Sequence, residues 1–412
     1  MGAVTSANPS PPPPAPIPWG LVVLLGSLTA LGPLAIDMYL PSLPAIGAAL
    51  KAEPAQTQAT VATFLAGMAI GQLIYGPASD RLGRRGPILF GAAVFVLASV
   101  GCALAQTVDQ LLVGRFVQAL GACAGGVVVR AVVRDQFSHT DTARVLSLMM
   151  LIMGLAPILA PMLGGVLLVL GDWSWNFWFM AAVGVAIGVA AFLRLKESRS
   201  EATALQASRE NPLQSYLAVL REKRLVGYAL CGALNGATLF TYIASSPQVL
   251  MGTYKVPVGM FPFVFGLNAV AVIGSSQLNR LALRTATTDQ VLARASNASL
   301  LVGALLALAA VTGIGGIWTV APLLFLLLGS YGFMAGNTTA GALSVDPLRS
   351  GATSALLGAA SFAAGALAAS LAGLFHDDTA RPMALVMLAA LAGSALSLRF
   401  LALPKGAAPM PT

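Results

Sequence analysis

Apolar residues fall along this chain in runs near twenty residues long, each ended by a short polar break. The first six runs predict helices over 19–40, 57–77, 87–106, 110–130, 144–169 and 175–194. Six more follow, over 224–247, 260–279, 292–313, 317–340, 350–374 and 381–403. A helix needs about 20 apolar residues to cross the hydrocarbon core of a bilayer, so each run suffices. Strands of a membrane barrel would instead alternate in segments of about ten residues. The pattern therefore predicts an all-α integral membrane protein, with twelve transmembrane helices in two six-helix bundles.

Polar stretches mark the organisation. The opening 1–18 is proline-rich and lacks Lys and Arg, so it has no positive region of a signal peptide and reads as a retained tail. The only long internal polar interval, 195–223, carries mixed charge and then LQSYLAVL, which predicts a linker ending in a short amphipathic helix. It separates a first bundle (19–194) from a second (224–403), and 404–412 forms a second tail. Two sets of six joined by a linker is the layout of transporters built from repeats. A weak echo supports it: DRLGRR from Asp80 after the second helix, NRLALR from Asn279 after the eighth.

Composition agrees. The chain is 57% hydrophobic and 9% charged, against about 25% charged residues in soluble domains. The net charge of +8 reports insertion, not a nucleic-acid partner, because of where the basic residues sit. Counting breaks from an inside N-terminus, one side holds Arg81, Arg84, Arg85, Arg130, Arg134 and Arg144, then most of the linker and the later arginines. The other side holds only Lys51, Lys255 and Arg381. Lys and Arg near segment ends stay cytoplasmic, so both termini are expected inside. Cys102, Cys123 and Cys231 lie in apolar runs, and His139 and His376 stand alone in loops. Neither a disulfide framework nor a metal site is expected.

One residue breaks the apolar pattern. Asp37, in LGPLAIDMYLPSLP, is the sole acidic residue placed inside any of the twelve predicted helices. An ionised carboxylate there costs about 2.5–3.5 kcal/mol on insertion scales, which makes the residue a functional candidate. Pro41 and Pro44 end or break its helix. Arg115, in the fourth run, lies at broadly similar depth, and opposite charges in a low-dielectric bundle should interact strongly. A lone Arg can also snorkel to the surface.

Local motifs extend the argument. In Gly76-Pro-Ala-Ser-Asp80-Arg81-Leu-Gly83-Arg84-Arg85, the glycines permit a tight turn, and Asp80 is expected where a helix N-terminus favours an anion. This segment resembles the loop signature of the major facilitator superfamily, joining the second and third helices. The resemblance implies that Gly76, Asp80, Arg81, Gly83, Arg84 and Arg85 act as a conformational latch away from substrate. GRFVQALG, with Arg115, Gln118 and Gly121, resembles the fourth-helix signature, where the arginine is tied to proton movement. MGLAPILAPMLGG, with Gly154, Pro157, Pro161, Gly164 and Gly165, is similar to the fifth-helix antiporter signature of exporters, although Ala156 stands where a glycine is usual. Read from the residues alone, it is a kinked, closely packed helix.

A finer resemblance is to the bicyclomycin and chloramphenicol resistance branch of drug:proton antiporters. It is carried by IDMYLPSLP from Ile36, VVRDQF from Val132, WSWNFWF from Trp173, FTYIASSPQVL from Phe240 and FPFVFGLNA from Phe261. Ser174 departs from the arginine common there. Tyr39, Gln118, Asn235, Tyr242, Ser245, Asn268 and Asn337 are candidates for a central cavity, or for interhelical hydrogen bonds worth about 0.6–2 kcal/mol.

These readings imply a proton-coupled exporter of drug-like hydrophobic or amphipathic molecules, with Asp37 and Arg115 in proton coupling. The expected setting is a bacterial cytoplasmic membrane, and a chain holding both halves is expected to work as a monomer. No GxxxxGK[ST] loop is present, so the proton gradient rather than ATP is the expected driving force, with no cofactor. An uptake symporter for a small metabolite keeps the same fold, and a non-transporting membrane receptor is the reading of another class. No paired carboxylates, His/Cys cluster or nucleophile with a nearby base suggests an enzyme.

Overall fold

The computed structural model describes residues 18–403 apart from Ser138 and Glu210. The expected tails, up to residue 17 and over 404–412, lie outside the described residues. The first half contains α1 (Trp19–Asp37), α2 (Leu43–Leu50), α3 (Pro54–Leu82), α4 (Arg85–Ala103), α5 (Val108–Gln136), α6 (His139–Leu170) and α7 (Ser174–Arg194). The linker forms two short helices, α8 (Glu201–Arg209) and α9 (Pro212–Arg221), where the sequence pattern predicts one. The second half contains α10 (Lys223–Pro247), α11 (Phe261–Ala282), α12 (Thr288–Thr312), α13 (Ile317–Val345), α14 (Ser350–Leu374) and α15 (Arg381–Ser397). Among the described residues, twelve segments are long and apolar enough to cross a membrane.

Several helices outrun their apolar runs. α3 continues to Leu82, α5 to Gln136 and α13 to Val345, carrying polar turns beyond the predicted ends. Hydropathy marks the lipid-embedded part, whereas the helical hydrogen-bond ladder continues until a cap or turn stops it. The first span behaves differently. α1 stops at Asp37, a 3₁₀ turn over Leu40–Ser42 follows, and α2 resumes at Leu43, ending on Lys51 in the left-handed region. Pro41 and Pro44 occupy the first turns of the two later pieces, where a missing N–H leaves no acceptor unmatched.

The halves meet along two seams, α3 against α14 and α6 against α11. Outward faces carry bare apolar side chains such as Leu97, Val169, Phe192 and Leu367, which suit lipid. At the end of the molecule that holds the linker, hereafter the linker side, a cavity of about 980 Å³ opens between the halves. Residues of α3, α5, α9 and α14 line it, and it reaches Gln72 and Val127. At the opposite end Gln58 Nε2 donates to Ser245 Oγ at 2.6 Å, a buried bond between the halves.

Candidate functional site

Asp37 closes α1 because Pro41 prevents the helix from running on, and the 3₁₀ turn that follows keeps the segment inside the bundle. The residue is 3% exposed, and its Oδ1 has no hydrogen-bond partner. It lies within electrostatic range of Tyr242 of α10, in the other half. The Tyr242 hydroxyl accepts from Asn268 Nδ2 at 2.8 Å, and its ring stacks on Phe265, 5.5 Å between centroids. The carboxyl of the first half thus lies near a tyrosine–asparagine pair of the second.

Arg115 is placed elsewhere. The sequence suggests an interaction between Asp37 and Arg115, but the two form no ion pair. The guanidinium carbon of Arg115 lies 4.2 Å from the Tyr39 ring centroid, 4.3 Å from that of Phe64 and 5.9 Å from that of Phe177. Nη1 donates to Gln118 Oε1 at 2.6 Å, one turn along α5, and Nε and Nη2 remain without partners. Gln118 Nε2 in turn donates to Ser99 Oγ at 2.7 Å, and the Tyr39 hydroxyl pairs with Thr60 Oγ1 at 3.0 Å. Aromatic faces attract a desolvated cation. Arg115 is fully buried, so it does not snorkel, and Tyr39 and Gln118 belong to its cage inside the first half.

The α6 motif connects the two halves. Pro157 and Pro161 lie within an unbroken α6. A Cβ on Gly164 would collide with the carbonyl oxygen of Met38, the residue after Asp37. A Cβ on Gly154 would lie 3.5 Å from Ile273 of α11, and one on Gly165 3.7 Å from Pro262. One helix thereby touches the Asp37 turn on one side and the second half on the other. Beside it Asn176 Nδ2 donates to Ser42 Oγ at 2.8 Å, fixing the turn to α7.

The remaining polar candidates divide. Ser245 accepts from Gln58. Asn337 joins α13 to α11 through Asn279, with its Nδ2 2.9 Å from Asn279 Oδ1, and so serves the packing of the second half. Asn235 is buried with Nδ2 unpartnered.

On the linker side the glycine–arginine loop folds around Arg84. The guanidinium pairs with Asp80, with Asp135 Oδ2 at 2.8 Å and with Ser79 Oγ at 3.0 Å. Asp80 is not at the start of α4, as its position in sequence suggests; it sits in the last turns of α3. Glu197, from the linker, holds that place: its Oε1 accepts from Arg84 N at 2.8 Å and its Oε2 from Arg85 N at 3.1 Å. Arg199 reaches back to the carbonyls of Asp80 and Arg81. Gly83 turns the chain at φ +94°, and a Cβ there would lie 2.5 Å from Glu197 Oε2. Desolvation pushes the Glu197 carboxyl up, but the N–H groups of Arg84, Arg199, Arg85 and Ser198 outweigh it and hold the group below its ordinary value. Nothing local in KESRS announces this role, because the partner lies over a hundred residues away.

The Major Facilitator Superfamily model matches residues 25–373. The chain belongs to that superfamily. It is 34% identical to "Uncharacterized MFS-type transporter YdgK" of Bacillus subtilis, over 89% of this chain and 91% of that one. It is 31% identical to "Bicyclomycin resistance protein homolog" of Haemophilus influenzae, over 92% and 95%. "Multidrug resistance protein MdtL" of Escherichia coli K12 is 36% identical over 59% of this chain and 61% of its own length. Among solved structures, a D-xylose-proton symporter superposes with TM-score 0.72 at 13% identity, covering 93% of this chain and 97% of that one. A bacterial homologue of the lysosomal transporter Spinster gives 0.71 at 15%, covering 93% and 96%. At these identities the structural likeness speaks for the fold. The chain is a multi-pass membrane transporter of this superfamily.

Proposed function

We propose that this protein exports drug-like hydrophobic or amphipathic molecules in exchange for protons, by alternating access between the two halves. The relatives named for bicyclomycin and multidrug resistance support the substrate class. The observation that carries the mechanism is Asp37: a buried carboxyl near the seam of the halves, with one oxygen unpartnered, followed by Met38, whose carbonyl packs against Gly164 of α6. A bare charge at such a site is costly, and proton uptake removes the charge. Proton exchange at Asp37 therefore biases which packing of the halves is stable, and substrate that fills the site competes with the protonated form.

In this reading the linker side is cytoplasmic, both termini lie inside a bacterial cytoplasmic membrane, and a single chain suffices. Arg115 acts at one remove, because its cage includes Tyr39 on the turn that bears Asp37. The proton gradient is the energy source. The test is efflux of a drug panel from cells lacking their own pumps, repeated with Asp37→Asn. Energised export by the wild type that falls to passive leak in the variant supports the reading. Undiminished energised export by the variant overturns it.

A further inference from the structure

The cavity on the linker side carries a charge imbalance that the latch does not absorb. Two carboxylates line it, Asp80 and Asp135, and Arg84 engages both. Arg349, also in the lining, is matched by Asp346 at 2.7 Å. Arg130 and Arg134 line the same space one turn apart on α5, both exposed to it. Neither forms an ion pair among the described residues. Arg130 Nε donates to the Gly126 carbonyl of its own helix at 3.0 Å, which leaves its charge uncompensated.

Like charges four residues apart on a helix repel each other, so this spacing lowers stability unless a ligand offsets it. Retention of basic residues on the cytoplasmic side explains arginines in loops and at lipid-facing ends. It does not explain two of them aimed at the gap between the halves. Across that gap lie Ser350, Gly351 and Ala352, the first turn of the 25-residue α14, whose N–H groups have no acceptor within the helix. A helix N-terminus and unmatched guanidinium groups converge on one chemistry, the oxyanion. Val127, Ala131 and Leu146 add an apolar wall beside them. Low-dielectric walls focus such a field into the cavity.

We infer that Arg130 and Arg134 form, with the start of α14, a receiving site for the anionic group of an amphipathic substrate, such as a carboxylate or phosphate. The site ranks substrates: anionic amphiphiles bind ahead of neutral ones, and organic cations are turned away. The inference rests on the export reading only for the direction of travel.

The test uses the purified full-length protein in nanodiscs and three probes that share one aromatic body but bear a carboxylate, a carboxamide or an amine. Binding is measured by calorimetry at low and high salt. The carboxylate probe is expected to bind about tenfold tighter than the carboxamide at low salt, and the advantage shrinks as salt rises. The pair Arg130→Gln/Arg134→Gln abolishes the advantage and leaves carboxamide binding unchanged, whereas Arg130→Lys/Arg134→Lys keeps it. Equal affinity of the wild type for carboxylate and carboxamide overturns the site without any variant, as does an advantage that survives the glutamine pair.

Discs of phosphatidylcholine alone and discs containing phosphatidylglycerol separate the sources of the anion. An advantage in both supports a substrate site; one seen only without phosphatidylglycerol assigns the arginines to a lipid headgroup and overturns it. Export of neutral drugs by cells distinguishes the two readings. Intact export with no carboxylate advantage removes this site alone, and a carboxylate advantage without any export removes the export reading alone.

Discussion

The guanidinium of Arg115 rests 4.2 Å from the ring of Tyr39, two residues beyond Asp37, and not on the Asp37 carboxylate. The buried cation is held by aromatic faces and by Gln118, and the buried acid is left with an unpartnered oxygen. A salt bridge would neutralise both groups and hold the acid in its charged form. In the proposed mechanism, keeping them apart leaves the Asp37 proton free to respond to the seam. Arg115→Lys preserves charge but loses the planar group that lies over Tyr39 and Phe64. Such desolvated cation–aromatic contacts are worth about 2 kcal/mol or more. The variant is expected to unfold at a temperature several degrees lower in detergent, with export impaired, as measured by thermal unfolding and drug accumulation.

Gly164 and Gly165 are neighbours in sequence with opposite tolerance. A methyl group on Gly164 meets the Met38 carbonyl, whereas on Gly165 its nearest neighbour is Pro262 at ordinary contact distance, 3.7 Å. Gly164→Ala is expected to shift the Asp37 turn and abolish energised export, and Gly165→Ala to leave it near the wild type. Overpacking of this kind costs about 1–3 kcal/mol. Drug accumulation in parallel strains with matched membrane levels checks the contrast, and equal behaviour of the two variants contradicts it.

At the far end the Gln58–Ser245 bond closes the halves against each other. Replacing both residues by cysteine in a background without Cys102, Cys123 and Cys231 is expected to give an oxidant-dependent crosslink. That crosslink should arrest transport, and reductant should restore it. Gel mobility after tryptic cleavage in the linker reports the bond, and efflux reports the arrest.

Glu197 sets a pH dependence on the linker side. Its folded carboxyl sits below the ordinary range, because four backbone N–H groups favour the charged form more strongly than desolvation opposes it. A depressed acid contributes stability that is present above its unfolded value and lost as pH falls through the folded one. The backbone N–H groups of Arg84, Arg85 and Arg199 all point at it. Wild-type protein is therefore expected to lose apparent melting temperature as pH falls through the acidic range, and Glu197→Gln to start lower and show a smaller loss. Gly83→Ala, at φ +94°, is expected to cost about 1–3 kcal/mol through backbone strain and its approach to the same carboxylate.

Much of this molecule is legible in one dimension. Hydrophobic run length fixes twelve crossings, because a bilayer sets a minimum apolar length for every helix, and the long polar interval at 195–223 falls where α8 and α9 separate the sixth span from the seventh. Asp37 stands out by its chemistry alone, since any carboxylate amid apolar residues signals either a partner or a proton. The Gly–Pro run of α6 signals close approach, although not to what.

Tertiary structure decided the partners. Sequence depth brings Asp37 and Arg115 to similar levels, yet depth leaves open the direction of a side chain around its helix axis. Packing turns Arg115 into the aromatic cage and leaves Asp37 unpaired, within electrostatic range of Tyr242. Glu197 takes the N-terminus of α4 from 113 residues away, a place that chain order offers to Asp80. The unmatched pair Arg130 and Arg134 looks like any basic loop margin until the halves close around the cavity it lines. Length and polarity are properties of each segment by itself and can be read along the chain. Which faces meet depends on all the helices together, and only their packing settles it.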